Sequence, residues 1–117
     1  MQMNEMEFAQ GVPVEGYGAG FFRIAGAVVH GPICLGPMGS SDWRGYDHLE
    51  PLMALDQTID VLFFGTGAET AFLPEPVRQR LENAGFGVEP MSSPAACRTY
   101  NVLLSEGRRV ALAALPV

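Results

Sequence analysis

Ile59-Asp60-Val61-Leu62-Phe63-Phe64-Gly65-Thr66-Gly67 is the stretch that decides the fold. From Ile59 to Phe64 it is apolar but for Asp60, too short for a helix, and it stops at glycine. Such a run predicts a strand buried on both faces, the kind found inside parallel sheets. Downstream, helices and strands alternate around it. A helix is predicted from Pro74 to Ala84, with both prolines in its first turn and Gly85 as its stop. Val77, Leu81 and Ala84 form its inner stripe, while Arg78, Arg80 and Glu82 face water. Gly87 to Pro90 is a short strand. Ser92 or Ser93 then caps a second helix, with Pro94 in its first turn; it runs to Ser105 and is closed by Gly107. Arg109 to Leu115 is the last strand. A β-α-β-α-β order calls for parallel strands joined by right-handed crossovers.

Upstream the pattern changes. Phe21–Ile24 and Ala27–His30 flank Ala25-Gly26, two β-rich runs around a two-residue turn ending in glycine, which predicts a hairpin. Ile33–Leu35 is a further short strand. The hairpin is expected to add antiparallel strands to the parallel ones, making one mixed sheet. Gly16-Tyr17-Gly18-Ala19-Gly20 has the look of a phosphate loop, but it lacks the G-x-G-x-x-G spacing and precedes a strand, so it is assigned to a backbone bend. Residues 36–47 form a loop. Asp47 is expected to cap a short helix to Leu55 with Leu49, Leu52 and Met53 inward, Pro51 being early enough to be tolerated.

Composition limits the function classes. The chain has 117 residues, which fits one α/β domain over 1–117. Its seven basic residues are all arginine, against thirteen acidic ones, for a net charge of −6. That balance, with no basic patch, argues against nucleic acid as a partner. Ile59–Phe64 and Val110–Leu115 are far below the roughly 20 residues of a membrane helix, so no membrane insertion is expected. Without a charged-then-apolar leader, a reducing, cytoplasmic setting is expected. Cys34 and Cys97 are then free thiols. No Cys/His spacing fits a metal, and no cofactor fingerprint is present.

Candidate site residues fall in two groups. Gly65, Thr66 and Gly67 follow a buried strand, where open α/β sheets place ligands. With the helix start at Ser92 and Ser93 they could cradle a small anion, and Cys97 sits in the first turns of that helix, where the dipole lowers a thiol's pKa. The bland alternative is that the glycines end a strand for geometric reasons and the thiol is a small core group. His30 and His48 lie in the other half of the chain, so Cys97 has no evident base, and no catalytic residue is assigned. The second group is a partner surface. On the second helix Ala96, Tyr100, Leu103 and Leu104 share the core face, and Arg98 with Asn101 lies away from it. A polar pair opposite the core stripe is either plain solvent exposure or a surface for a partner or ligand. The further alternative is Arg98 buried in a salt bridge with an acidic residue such as Asp42 or Asp60. Asp42-Trp43 in the long loop is a further surface, Trp43 being either an interface anchor or a lid folded onto the core.

Four stretches together resemble a known family. They are Gly16-Tyr17-Gly18 with Phe22-Arg23, Leu62 to Gly67 with Phe72-Leu73-Pro74, Gly87-Val88-Glu89 with Met91, and Ala96-Cys97-Arg98-Thr99-Tyr100-Asn101-Val102-Leu103. Their order and spacing resemble the family of mitochondrial complex I assembly factor 3 and its bacterial and archaeal relatives. The Arg98-Thr99-Tyr100-Asn101 run at this distance from Gly65-Thr66-Gly67 is the most specific element. The resemblance implies a three-layer α/β/α domain with a mixed sheet. For the mitochondrial members it implies a role in assembling a respiratory complex, and it implies no catalytic residue. The expectation is a non-catalytic binding or assembly module with a protein partner. The alternative is a small-molecule or anion-binding protein or enzyme at Gly65–Gly67 and Ser92–Ser93.

Overall fold

The computed structural model describes residues 11–117. A five-stranded mixed sheet forms the middle layer, in the order β5-β4-β8-β6-β7. Its strands are β4 (Ile33–Gly36), β5 (Gly39–Ser41), β6 (Val61–Gly65), β7 (Gly87–Met91) and β8 (Val110–Ala114). As the alternation of strands and helices predicts, β6 pairs in parallel with both β7 and β8. The deciding stretch therefore sits inside the parallel part of the sheet, with Leu62, Phe63 and Phe64 all buried.

Period-two alternation sorts the side chains of this sheet to its two faces. Cys34, Leu62, Phe64, Ala111 and Ala113 join one apolar cluster with α1 (Glu50–Met53) and α2 (Glu75–Glu82). Ile33, Leu35, Phe63, Val110, Leu112 and Ala114 join the other, with α3 (Ser93–Ser105). Phe22 and Ile24 reach that second cluster from a separate three-stranded antiparallel sheet of β1 (Gly16–Gly18), β2 (Phe21–Ile24) and β3 (Ala27–His30). The result is a three-layer α/β/α arrangement whose third layer is shared by α3 and the small sheet.

Several local expectations are corrected. The hairpin does form, with Ala25 and Gly26 both at positive φ, but it builds its own sheet with β1 instead of extending the main one. The antiparallel strands of the main sheet are β4, which pairs with β8, and β5. β5 arises within a segment expected to be loop, because the turn after Gly36 folds Gly39–Ser41 back onto Cys34–Gly36. Asp47 does not cap α1; Leu49 stands at that cap position and makes no side-chain cap bond, so α1 is one turn held by packing of Leu49 and Leu52. α2 ends at Glu82 with Asn83 as its C-cap, so Gly85 is not its stop. Gly85 serves a close approach instead: its N–H donates to Asp56 Oδ1 at 3.1 Å, and a Cβ there would stand 2.3 Å from that oxygen.

α3 follows its sequence signals closely. Ser92 is its N-cap, its side chain accepting from the Ala95 N–H at 3.3 Å. At the far end Gly107 adopts φ 83°, Gly107 N–H donates to Leu104 O at 3.0 Å and Arg108 N–H to Leu103 O at 3.0 Å. That pair of bonds is the Schellman closure, which uses glycine for its left-handed residue.

Candidate functional site

The fold brings Gly65–Gly67 and Ser92–Ser93 into direct contact, as their positions at the ends of β6 and β7 require. Ser93 N–H donates to Gly67 O at 2.7 Å, and Gly67 N–H donates to Ser93 Oγ at 2.9 Å. Ser93 Oγ in turn donates to Leu115 O at 2.5 Å. The start of α3 is thereby saturated. Ser93 N–H is taken by Gly67, Pro94 has no N–H, Ala95 N–H is taken by Ser92 Oγ, and Ala96 N–H by Ser92 O. A helix start binds anions through its unsatisfied N–H groups, and here the protein's own oxygens occupy them. The absence of a side chain at Gly65 has a packing cause: a Cβ would lie 2.6 Å from Ser93 Oγ and 2.8 Å from Ser93 Cα.

Thr66 staples the next loop. Its hydroxyl lies 2.8 Å from Glu69 O and 3.1 Å from Met91 O, one of which takes its proton, and it accepts from the Ala71 N–H at 3.1 Å. Cys97 is buried in the α3-side cluster and Cys34 in the opposite one, so the sheet separates two free thiols. The expected lowering of the Cys97 pKa does not occur. Burial pushes it up to about 11, outweighing a smaller lowering from Arg98, and burial pushes Cys34 to about 12. The helix dipole is too weak to offset desolvation of a buried thiolate.

The Arg98–Asn101 pair divides. Arg98 is exposed. Its two proposed acidic partners are engaged elsewhere, Asp60 with Arg109 at 2.9 Å and Asp42 with Arg44 at 3.3 Å. Val102, one turn on, is exposed beside it. Asn101 instead points at the chain before β1: it receives Val14 N–H on Oδ1 at 2.9 Å and donates through Nδ2 to Val14 O at 2.8 Å. Tyr100 donates its hydroxyl to Val12 O at 2.8 Å. A hydroxyl tied to the backbone is what a core tyrosine on this face leads one to expect. The Asn101 clamp was not legible in a helical wheel, which shows the direction of a side chain and not what lies there.

Asp42 is exposed, whereas Trp43 is only 2% exposed, the lid and not the anchor of the two readings. Its ring meets Phe64 edge-on at 5.4 Å, and Tyr46 stacks on Phe64 at 5.7 Å.

A residue that the sequence left unremarked as a site is the most exposed aromatic among those described. Phe72 is 99% exposed. It stands between Ala71, held by Thr66, and Leu73, buried in the core, so the backbone is anchored on both sides of it. Beside it opens an apolar groove of about 410 Å³ lined by Ala71, Leu73, Glu75, Arg78 and Pro90. Arg78 is held at this rim by Glu75 and Glu82. The sequence signal was an aromatic inside a short loop between a stapled glycine turn and a proline, where no strand or helix period could bury it.

A three-layer α/β/α module with a sealed Gly-Thr-Gly junction and an outward aromatic beside it is the class that this geometry defines. Residues 14–115 match the family described as protein of unknown function DUF498/DUF598, and the chain belongs to it. It is 48% identical to an uncharacterised protein of Rhodobacter capsulatus over all of this chain and 94% of that one. It is 34% identical to the zebrafish (Danio rerio) protein named NADH dehydrogenase [ubiquinone] 1 alpha subcomplex assembly factor 3, over 96% of this chain and 68% of that one. The human protein of that name is 31% identical, and the chain spans 65% of its length. Among solved structures, a Bartonella henselae protein described as an outer membrane protein superposes with a TM-score of 0.83 at 34% identity, covering 94% of this chain and 98% of that one. A Mth938-like domain of Bordetella pertussis gives 0.71 at 29% identity over 90% and 85%. In the described residues no helix is long and apolar enough to cross a membrane.

Proposed function

We propose that this protein is a binding module that takes part in assembling a respiratory NADH dehydrogenase, working in the cytoplasm through contacts with another protein. The observation that carries the proposal is the relationship, across nearly the whole chain, to proteins named as assembly factors of that enzyme. The surface supports it. Polar groups at the Gly65–Gly67 junction are turned inward onto the protein itself, while Phe72 is held outward over an apolar groove. An aromatic side chain has only two rotatable torsions and so loses little freedom on binding for the apolar area it buries. Asp42 and Arg98, both exposed, are the charged residues proposed for the same kind of contact.

The test is deletion of the gene in its own host, followed by native gel separation of membrane complexes. The proposal expects less assembled NADH dehydrogenase, restored by the intact gene. An unchanged level of the assembled enzyme would contradict it.

A further inference from the structure

Among the described residues, the small sheet has an open edge: its order is β1-β2-β3, so β3 is an outer strand. Gly31 N–H bonds to Gly20 O across the hairpin, and Glu15 N–H bonds to Arg23 O on the far side of β2. With the register Phe22↔Val29 and Ile24↔Ala27, this alternation turns the peptide groups of Ala27, Val29 and Gly31 toward β2. The N–H and C=O groups of Val28 and His30 face outward. Every residue of β3 is exposed, including Val28 at 44% and Val29 at 37%.

Natural sheets guard such edges with proline, charge or bulges. β7 is guarded in this way. Gly87 N–H bonds to Asp60 O and Thr66 N–H to Met91 O, so alternation places Pro90 on the outer edge, where it offers no N–H. β3, Ala27-Val28-Val29-His30, has neither proline nor a formally charged residue. The net charge of −6 sets two copies apart at long range. This strand, with β-branched Val28 and Val29 at its centre, nonetheless brings no like formal charges together where two copies would meet.

We propose that β3 pairs antiparallel with β3 of a second copy of this chain about a two-fold axis. Such an axis demands a self-complementary patch, and the outward groups supply one. Val28 and the other copy's His30 exchange two hydrogen bonds, and the symmetric pair exchanges two more. Val29 lies on the axis, directly opposite its own copy in a non-hydrogen-bonded pair, where side chains come closest. Two three-stranded sheets become one of six strands. A four-residue edge buries less than the roughly 800 Å² per partner of a standard interface, so the association is concentration-dependent.

Sedimentation of the whole chain from about 10 µM to about 1 mM, a range that brackets weak association, reads it directly. The mass rises from 12.6 kDa toward twice that value. Val29→Lys places like charges on the axis and weakens the rise at least about ten-fold, and an equal mixture of Val29→Lys and Val29→Glu restores it. Amide exchange on the unaltered protein gives a second measure, with Val28 and His30 more protected as concentration rises. A mass of 12.6 kDa throughout, or a dimer untouched by Val29→Lys with Val28 and His30 equally exchangeable at all concentrations, overturns the proposal.

Discussion

Asn101 holds the backbone of Val14 at both of its polar atoms, Val14 N–H on Oδ1 at 2.9 Å and Val14 O from Nδ2 at 2.8 Å. The pair joins residues 87 positions apart and fastens the segment before β1 to α3. A primary amide is required, since it both donates and accepts. Asn101→Ala is expected to lose about 1–3 kcal/mol by leaving partly buried backbone groups unpaired. Asn101→Asp should also lose stability, because a carboxylate cannot donate to Val14 O. By contrast Arg98→Ala should change stability by less than about 0.5 kcal/mol, and Leu104→Ala should lose roughly 2–5 kcal/mol. Urea melts of the four variants check the order; an Asn101→Ala protein as stable as Arg98→Ala would remove the clamp from the account.

At the sealed junction, Gly65→Ala forces a methyl group against Ser93 Oγ and the Ser93 backbone. Overpacking of this kind costs about 1–3 kcal/mol. Replacing Ser93 with alanine as well removes the Oγ clash but not the one with Cα, so the double variant should not recover full stability. Thermal melts of the single and double variants decide this, with full recovery counting against the geometry.

Much of this was legible in the sequence, for identifiable reasons. Ile59–Phe64 announced a buried strand because both faces of β6 are covered, and Ser92, Pro94 and Gly107 announced α3 because capping is local chemistry. The hairpin was visible in Ala25-Gly26, but which sheet it joined was not, since that depends on Phe22 and Ile24 packing over β4 and β8. At the candidate site, Ser92 and Ser93 were recognised as a helix start, yet the use of their polar atoms depends on Gly67 and Leu115, distant in sequence. Asn101 looked solvent-facing because its partner Val14 lies outside the helix.

The thiols make a pH prediction. Cys34 and Cys97 titrate at about 12 and about 11 when folded, above the ordinary value of 9.0, in each case chiefly through burial. A raised folded pKa means that the folded state holds its proton more tightly. The associated stability is complete below pH 9.0 and is lost as pH rises through about 11 and about 12. Burial raises the Tyr100 hydroxyl as well, in the same direction. Urea melts at rising alkaline pH should show falling stability, and a thiol reagent at pH 8 should label the native protein far more slowly than the unfolded one. Rapid native labelling of both cysteines would contradict the burial.

Ala25 occupies the left-handed region at φ 53° in the two-residue turn. L-residues other than Asn, Asp and Gly are strained there, by roughly 1–2 kcal/mol. Asn before Gly is the preferred pair for this turn. Ala25→Asn should therefore raise stability by up to about 1 kcal/mol, measured by thermal melt; a loss would mean that the hairpin turns differently.

The central claim is that the protein works through a displayed surface around Phe72. A photo-crosslinking phenylalanine analogue at position 72, expressed in the native host and irradiated, tests it most directly, with the same analogue at exposed Tyr17 as the control. The account predicts an adduct at 72 with a subunit or assembly intermediate of NADH dehydrogenase, and none at 17. Adducts absent at 72, or equal at both positions, would contradict it.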